Sequence, residues 1–282
     1  MAEILKGAPV AAALTEKLIS RAESLKSKNI IPTLAILRIG EKPGDISYET
    51  GAMKRCEKIG IEVKNFRLPE NVSREKILDV IREINNDNSI HGCLMLRPLP
   101  NKKVEQEACE ILSPSKDVDC MTVGSLARVF TGLGKGYAPC TAEACIEVLD
   151  YYGVELEGKN IAVIGRSLVI GKPLSMMLQA RNATVTMCHS KTRELEKICK
   201  NSEIIVAAIG KAKFVDKNFV SPGQIIIDVG INVDENNKLC GDVNFDEVEP
   251  IVKAVTPVPA GVGSVTTAVL AKHVIEAAEK IL

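Results

Sequence analysis

Residues 159–173 read KNIAVIGRSLVIGKP. Ile161 to Ile164 is an unbroken apolar run, the pattern of a strand buried on both faces of a parallel sheet. The run stops at Gly165 and passes through a polar turn at Arg166 and Ser167. After Gly171, Lys172 and Pro173 it becomes helical, with Leu174, Met177 and Leu178 at i, i+3 and i+4. A strand, a glycine turn and a helix start make a seat for an anion, because the first N–H groups of a helix have no partner within it.

The same alternation extends in both directions. Downstream, the spacing predicts a helix over 172–181, a strand over 183–187, a helix over 193–199 and strands over 203–207 and 224–228. Upstream, Thr141 caps a predicted helix that runs to Tyr152. Before it lies TGLGKGYAP (131–139), whose glycines and proline mark a linker. The first half reads as helix 9–27, strand 32–39, helix 46–59, strand 63–68, helix 73–84 with Ser73 as its cap, and strand 91–96, stopped by Pro98-Leu-Pro100. Strands alternating with helices imply an α/β fold with mostly parallel sheets. Two domains are expected, 1–138 and 139–263, joined by long helices, with a C-terminal helix at 264–282 packing back on the first.

Composition narrows the function. The chain has 282 residues, 46% hydrophobic and 26% charged, which suits a soluble globular protein. Lys plus Arg equals Asp plus Glu at 36 each, so there is no electrostatic footprint for nucleic acid or an anionic membrane. No apolar run approaches the ~18–20 residues that span a bilayer. MAEILKGAPV lacks the plan of a signal peptide. Nine cysteines, scattered and without a CxxC, point to free thiols in a cytoplasmic protein. Three histidines without acidic or Cys partners at ligand spacing argue against a metal site.

The glycine turn is neither G-x-G-x-x-G nor a P-loop, since five residues separate Gly165 from Gly171 and Pro173 stands where Ser or Thr would hold Mg²⁺. By spacing alone, cofactor binding and an ordinary strand-to-helix turn stand about even. The next strand shifts the balance. An NAD-selective site wants an acidic residue there for the ribose 2′-OH. This chain has His189-Ser-Lys-Thr192 instead, which with Arg166 suits a 2′-phosphate and favours NADP. Gly210 and Asp228-Val-Gly-Ile-Asn232 also lie at predicted strand C-ends, where open α/β sheets bind ligands. In the first domain the polar candidates are Tyr48, on a helix face with Ala52 and Arg55, and Asp119, in Lys116-Asp-Val-Asp119; neither convinces alone.

Together these motifs resemble one family, the bifunctional methylenetetrahydrofolate dehydrogenase/methenyltetrahydrofolate cyclohydrolases. The likeness spans nearly the whole chain: Tyr48 with Cys56-Glu-Lys-Ile-Gly-Ile61, Arg97-Pro-Leu-Pro100, Lys116-Asp-Val-Asp119, Tyr137-Ala-Pro-Cys-Thr141, Val163 to Pro173, Cys188 to Thr192, Asp228 to Asn232, Gly241-Asp-Val243 and Thr256 to Gly263. The resemblance implies an N-terminal α/β catalytic domain and a Rossmann-like NAD(P)-binding domain, with folate held in a cleft between them and a homodimer formed through the cofactor domains. It implies oxidation of 5,10-methylenetetrahydrofolate by NADP, then hydrolysis of the methenyl product to 10-formyltetrahydrofolate. By that likeness Gly165, Arg166, Ser167, Ser190 and Ile231 contact the dinucleotide. Asp119 hydrogen-bonds the pterin, Tyr48 stacks near the reacting carbon, and Pro259, Gly261 and Gly263 line the folate pocket.

The departures from that pattern fall in one place. The family carries a proton-transferring lysine four residues after the tyrosine, and here that position is Ala52. It carries a glutamine ahead of the proline loop, and here that position is Leu96. Lys54 is no substitute, since i+6 on a helix points about 120° away from Tyr48. Arg55 shares the face but lies about 10 Å along the axis and does not deprotonate. Smaller departures are Asp45 for serine, and Cys120 and Ala260 for glycine; Ala260 matters only if its φ is positive. Hydride transfer asks mainly for orientation of two ligands, whereas hydrolysis needs a proton shuttle. The expectation is a dehydrogenase with weak cyclohydrolase activity. The rival readings are a fully bifunctional enzyme using another proton-transfer group, an NADP oxidoreductase acting on a cyclic hydroxy acid, and a folate- and NADP-binding relative without turnover.

Overall fold

A computed structural model describes residues 1–281. In chain order the elements are β1 (Glu3–Ile4), α1 (Gly7–Lys26), β2 (Thr33–Ile39), α2 (Pro43–Ile59), β3 (Glu62–Leu68), α3 (Arg74–Asn86), β4 (Gly92–Met95), α4 (Lys102–Ile111), α5 (Val123–Thr131) and α6 (Cys140–Tyr151). There follow β5 (Asn160–Ile164), α7 (Gly171–Gln179), β6 (Thr184–Cys188), α8 (Leu195–Lys200), β7 (Ile204–Ala207), β8 (Ile225–Asp228), β9 (Asn232–Val233), β10 (Leu239–Cys240), α9 (Phe245–Val248), β11 (Ala254–Val255) and α10 (Thr266–Glu279).

The chain forms two compact units. One combines Met1–Ala12 with Thr141–Thr266, and the other combines Ala13–Cys140 with the stretch from Thr267 on. The C-terminal helix thus groups with the 13–140 unit. The expected boundary of 1–138 is corrected at its start, because β1 pairs in parallel with β11 (Glu3 opposite Ala254, Ile4 opposite Val255) and so ties the N-terminus to the other unit. A two-residue strand is too short to leave a periodic signal.

In the unit built on 141–266, six parallel strands lie in the order β1-β11-β8-β7-β5-β6. Ala162, Ile164, Ile205, Ala207, Ile226 and Val255 alternate into one buried core, as a sheet covered on both faces requires. The first strand of the nucleotide motif, β5, is flanked by β6 on one side and β7 on the other. The chain thus reverses its direction of travel between β5 and β7, and the C-ends of strands at such a reversal are where open α/β sheets bind ligands.

The unit built on 13–140 repeats this arrangement in miniature. Its sheet is β3-β2-β4, all parallel, with the seven residues of β2 buried at its centre. A single bridge from Cys93 to Asp117 adds the next segment beside β4. Leu37, Ile81, Ile84, Met95 and Leu112 fill the core on the α3–α4 side. Here the reversal falls between β2 and β4.

Candidate active site

In the 141–266 unit the turn after β5 is packed backbone on backbone. Gly165 has φ +131°, and a Cβ on it would overlap the carbonyl oxygen of Ala208 at the end of β7. A Cβ on Gly171 would overlap the carbonyl oxygen of Gly165. The two glycines are thus required for the close approach of turn, helix start and neighbouring strand, which explains their wide spacing. Ser167 Oγ accepts the N–H of Ile170 at 3.1 Å and shapes the turn ahead of α7. Arg166 and Ser167 stay exposed. The N–H of Gly165 donates to the Cys188 carbonyl at 2.9 Å, so the turns after β5 and β6 leave the sheet side by side. Ser190 is exposed in the second turn, which Thr192 fixes by accepting the His189 N–H at 2.8 Å.

The loops after β7 and β8 meet on buried carboxylates. Asp242 accepts the N–H groups of Ile209 (2.7 Å), Gly210 (3.0 Å) and Lys211 (2.8 Å), and the Asn232 side-chain amide (2.9 Å). Asp228 accepts the N–H groups of Gly230 (2.9 Å), Asp242 (3.0 Å) and Val243 (2.9 Å), and burial pushes its carboxyl up to about 6. Above this layer Ile231 is 71% exposed, an apolar side chain presented at a strand C-end. The loop after β11 carries Pro259 exposed, Gly261 buried and Gly263 exposed. It is tied to the start of α1 through Gly7 N–H to the Ala260 carbonyl at 2.8 Å. Ala260 itself has φ +77°, the conformation in which a glycine is easiest.

In the 13–140 unit α2 leaves β2 after Gly40. Glu49, buried, accepts from Arg38 Nε at 2.7 Å and Arg67 Nε at 2.8 Å, pinning the helix to β2 and β3. On that helix Tyr48 is half-buried and Ala52, one turn later, is fully buried. Leu96, just past β4, is buried too, so the lysine and glutamine positions of the family are both apolar and closed to water. Arg55 Nη1 donates to Thr15 Oγ1 at 2.8 Å and is engaged with α1. Lys42, at the start of α2, donates to the Pro98 carbonyl at 3.1 Å and so links the two loops at the reversal.

Asp119 is half-buried beyond the Cys93–Asp117 bridge, on the β4 side of the sheet. Asp117 sets this turn by accepting the N–H groups of Met121 (2.8 Å) and Thr122 (2.7 Å), and Cys120 within it has φ +57°. Asp119 accepts the Cys140 N–H at 3.1 Å, and burial holds its carboxyl above the usual range. The site residues named from the sequence therefore fall in two groups. Tyr48 and Asp119 belong to one unit; Gly165, Arg166, Ser167, Ser190, Ile231, Pro259, Gly261 and Gly263 belong to the other. Sequence reasoning quoted Asp242 only within Gly241-Asp-Val243, without a role, and missed Lys42. Gly241 beside Asp242 was the available signal for the former, and nothing marked the latter. Among the described residues no group of three or more His, Cys, Asp or Glu is arranged to hold a metal ion, and no helix is long and apolar enough to cross a membrane.

Comparison with known proteins separates the candidate residues into the same two groups. Residues 5–119 match the catalytic domain of tetrahydrofolate dehydrogenase/cyclohydrolase, and residues 139–282 match its NAD(P)-binding domain. The chain is 51% identical over 280 residues to the bifunctional protein FolD of Clostridium botulinum, covering 99% of each. The crystal structure of the bifunctional FolD methylenetetrahydrofolate dehydrogenase/cyclohydrolase from Campylobacter jejuni superposes with a TM-score of 0.95 at 35% identity, over 100% of both chains. The FolD of Trypanosoma brucei, solved with NADP cofactor and inhibitor, superposes at 0.92 with 29% identity, covering 99% of this chain and 98% of that one. With both domain models matched in order and half the residues shared with a full-length relative, the chain belongs to the tetrahydrofolate dehydrogenase/cyclohydrolase family.

Proposed function

We propose that this chain oxidises 5,10-methylenetetrahydrofolate to 5,10-methenyltetrahydrofolate with NADP, and that its hydrolysis of the product is weak. The observation that carries the first half is the glycine turn after β5. Its Gly165 and Gly171 leave no room for side chains, and it opens beside Arg166 and Ser190 at adjacent strand ends. That cradle fits a dinucleotide: backbone N–H groups for the pyrophosphate, and a guanidinium with a hydroxyl for a 2′-phosphate. The bound cofactor supplies the hydride acceptor. Gly165, Arg166 and Ser167 hold its phosphates, Ser190 its 2′-phosphate, and Ile231 an apolar contact. Tyr48 orients the folate near its reacting carbon, Asp119 pairs with the pterin edge, and Pro259, Gly261 and Gly263 line the folate pocket.

The second half rests on Ala52 and Leu96. Opening the methenyl bridge requires an activated water and a proton carrier, and both positions where the family keeps a lysine and a glutamine are buried hydrocarbon. Arg55 and Lys54 do not replace them, the first engaged with Thr15 and the second exposed. Lys42 favours a second reading, in which its ammonium, held at the Pro98 carbonyl, serves as the proton carrier of a fully bifunctional enzyme. A homodimer is proposed through the cofactor unit, where β6 is an edge strand with Thr184 and Thr186 exposed. The cytoplasm is proposed as the compartment, on nine free cysteines. The proposed boundary between the folate and cofactor domains stays at 138/139, apart from the N-terminal strand.

The test is spectrophotometric. Purified protein with methylenetetrahydrofolate should turn over with NADP, much less with NAD, and accumulate the methenyl absorbance. Absence of turnover with either cofactor contradicts the dehydrogenase. Methenyl loss at the rate of its formation contradicts the weak hydrolase, and its abolition in Lys42→Ala would then establish the second reading.

A further inference from the structure

The reaction as described gives no task to Asp228 and Asp242, yet these two side chains gather seven N–H donors, six of them backbone. Burying two neighbouring carboxylates is costly, and apolar side chains of similar volume would hold a core at least as well. What the carboxylates add is geometric. A single acceptor group draws several N–H donors from different loops to one point.

The loops so gathered surround the candidate cofactor site. Asp242 binds residues 209–211, which continue from Ala208, and the carbonyl of Ala208 is the surface against which Gly165 packs. It also binds Asn232, while a Cβ on Gly230 would overlap the Asp242 carboxylate. Ile231 is therefore fixed on both sides by contacts to one side chain. Asp228 lies beneath, accepting the N–H of Asp242 itself, and a Cβ on Gly241 would overlap the Asp228 carboxylate. The Asp228 N–H donates to Thr256 Oγ1 at 2.7 Å, which carries the same layer to the head of the 256–263 loop.

We propose that Asp242, seated on Asp228, is a positioning residue for dinucleotide binding: it sets the 209–211 and 230–232 loops in the form that receives the cofactor. This rests on the reading that the Gly165 turn and Ile231 hold the dinucleotide. Asp242 acts through Ile209, Gly210, Lys211 and Asn232, without a place in the hydride step.

The test is steady-state kinetics of the full-length Asp242→Asn protein with NADP and methylenetetrahydrofolate, beside Arg166→Ala as a probe of the cofactor turn. Weakening charge-assisted hydrogen bonds to the loops should raise the KM for NADP roughly tenfold, while kcat and the KM for folate move less than about threefold. Asn232→Ala, which deletes one of the four bonds, should raise the NADP KM by a smaller factor. If Asp242→Asn does not fold, Asn232→Ala decides: an unchanged NADP KM overturns the proposal. An unchanged NADP KM in Asp242→Asn overturns it as well, as does a uniform loss in kcat and both KM values that follows a lowered melting temperature. If Arg166→Ala alone raises the NADP KM, only the positioning role falls; if both variants leave it unchanged, the reading of the cofactor turn falls with it.

Discussion

The two units share a plan and differ in what stands at the point of reversal. In each, a first parallel strand is flanked by the second and third, and loops at the strand C-ends carry the candidate site residues. At the β5/β7 reversal the site is made of backbone: glycines in close contact, N–H groups drawn onto Asp242, and exposed side chains added at the rim. At the β2/β4 reversal it depends on side chains on α2 and the loop after β4, and there the family's polar pair has become Ala52 and Leu96. Backbone geometry constrains which residues fit, so the cofactor loops retain the family's pattern. A side-chain pair is removable by two substitutions with the fold intact. The difference predicts that binding and orientation survive while proton transfer is impaired.

Changes on the folate side should have the largest effect. Asp119→Ala should lower kcat/KM for methylenetetrahydrofolate on the order of 10³-fold, with the NADP KM nearly unchanged, if Asp119 is the pterin's partner as proposed. An equal effect on both substrates would erase the division between the units. Asp228 offers the corresponding test on the cofactor side. Its folded-state value of about 6 lies above the usual carboxylate value of 3.8, so its neutral form is the one the fold favours. The stability it contributes is therefore full below pH about 4 and is lost as pH rises through 6, about 3 kcal/mol in all. Denaturant titrations at several pH values should show this slope in the native protein and its loss in Asp228→Asn.

Smaller effects sharpen the backbone side of the comparison. Gly171→Ala should raise the NADP KM by roughly 10²-fold or less, since its methyl group must displace the Gly165 carbonyl. An unchanged KM would show that close backbone contact is not what seats the dinucleotide. Smallest of all, Ala260→Gly should stabilise the protein by about 0.5–1 kcal/mol, because Ala260 is exposed and adopts a positive φ of +77°, where a side chain is strained. Calorimetry should show the melting temperature raised by about 2–4 °C at most.

Much of this was legible beforehand, for reasons that differ by element. The strand at 160–164 is a run of apolar residues, and α3 has its Ser73 cap, with Lys76 N–H donating to Ser73 Oγ at 3.2 Å. Such elements declare themselves by period and cap chemistry. The pairing of Glu3–Ile4 with Ala254–Val255 did not, because it joins residues some 250 apart through two-residue strands. The helices α4 and α5 are not among the ranges that the spacing predicts. The helix read as capped by Thr141 begins one residue earlier, at Cys140. Within the sites, residues recognisable by a local pattern were found, and those acting through space were not. Asp242 organises residues 31 to 33 positions upstream and is marked locally only by Gly241, while Lys42 reaches Pro98 and leaves no mark in its own neighbourhood. The strain at Ala260 was foreseen only conditionally, since a sequence does not state its φ.

The central claim is that hydride transfer persists where proton transfer is lost. The direct measurement is the ratio of methenyltetrahydrofolate hydrolysis to methylenetetrahydrofolate oxidation, in the native protein and in Ala52→Lys/Leu96→Gln. A restored proton-carrying lysine with its hydrogen-bonding glutamine should raise hydrolysis by roughly 10²-fold, with oxidation within a few-fold. Ala52→Lys alone should gain less and melt lower, having put an ammonium into a buried apolar site. Native hydrolysis already matching oxidation, and no gain in the double variant, would contradict the account.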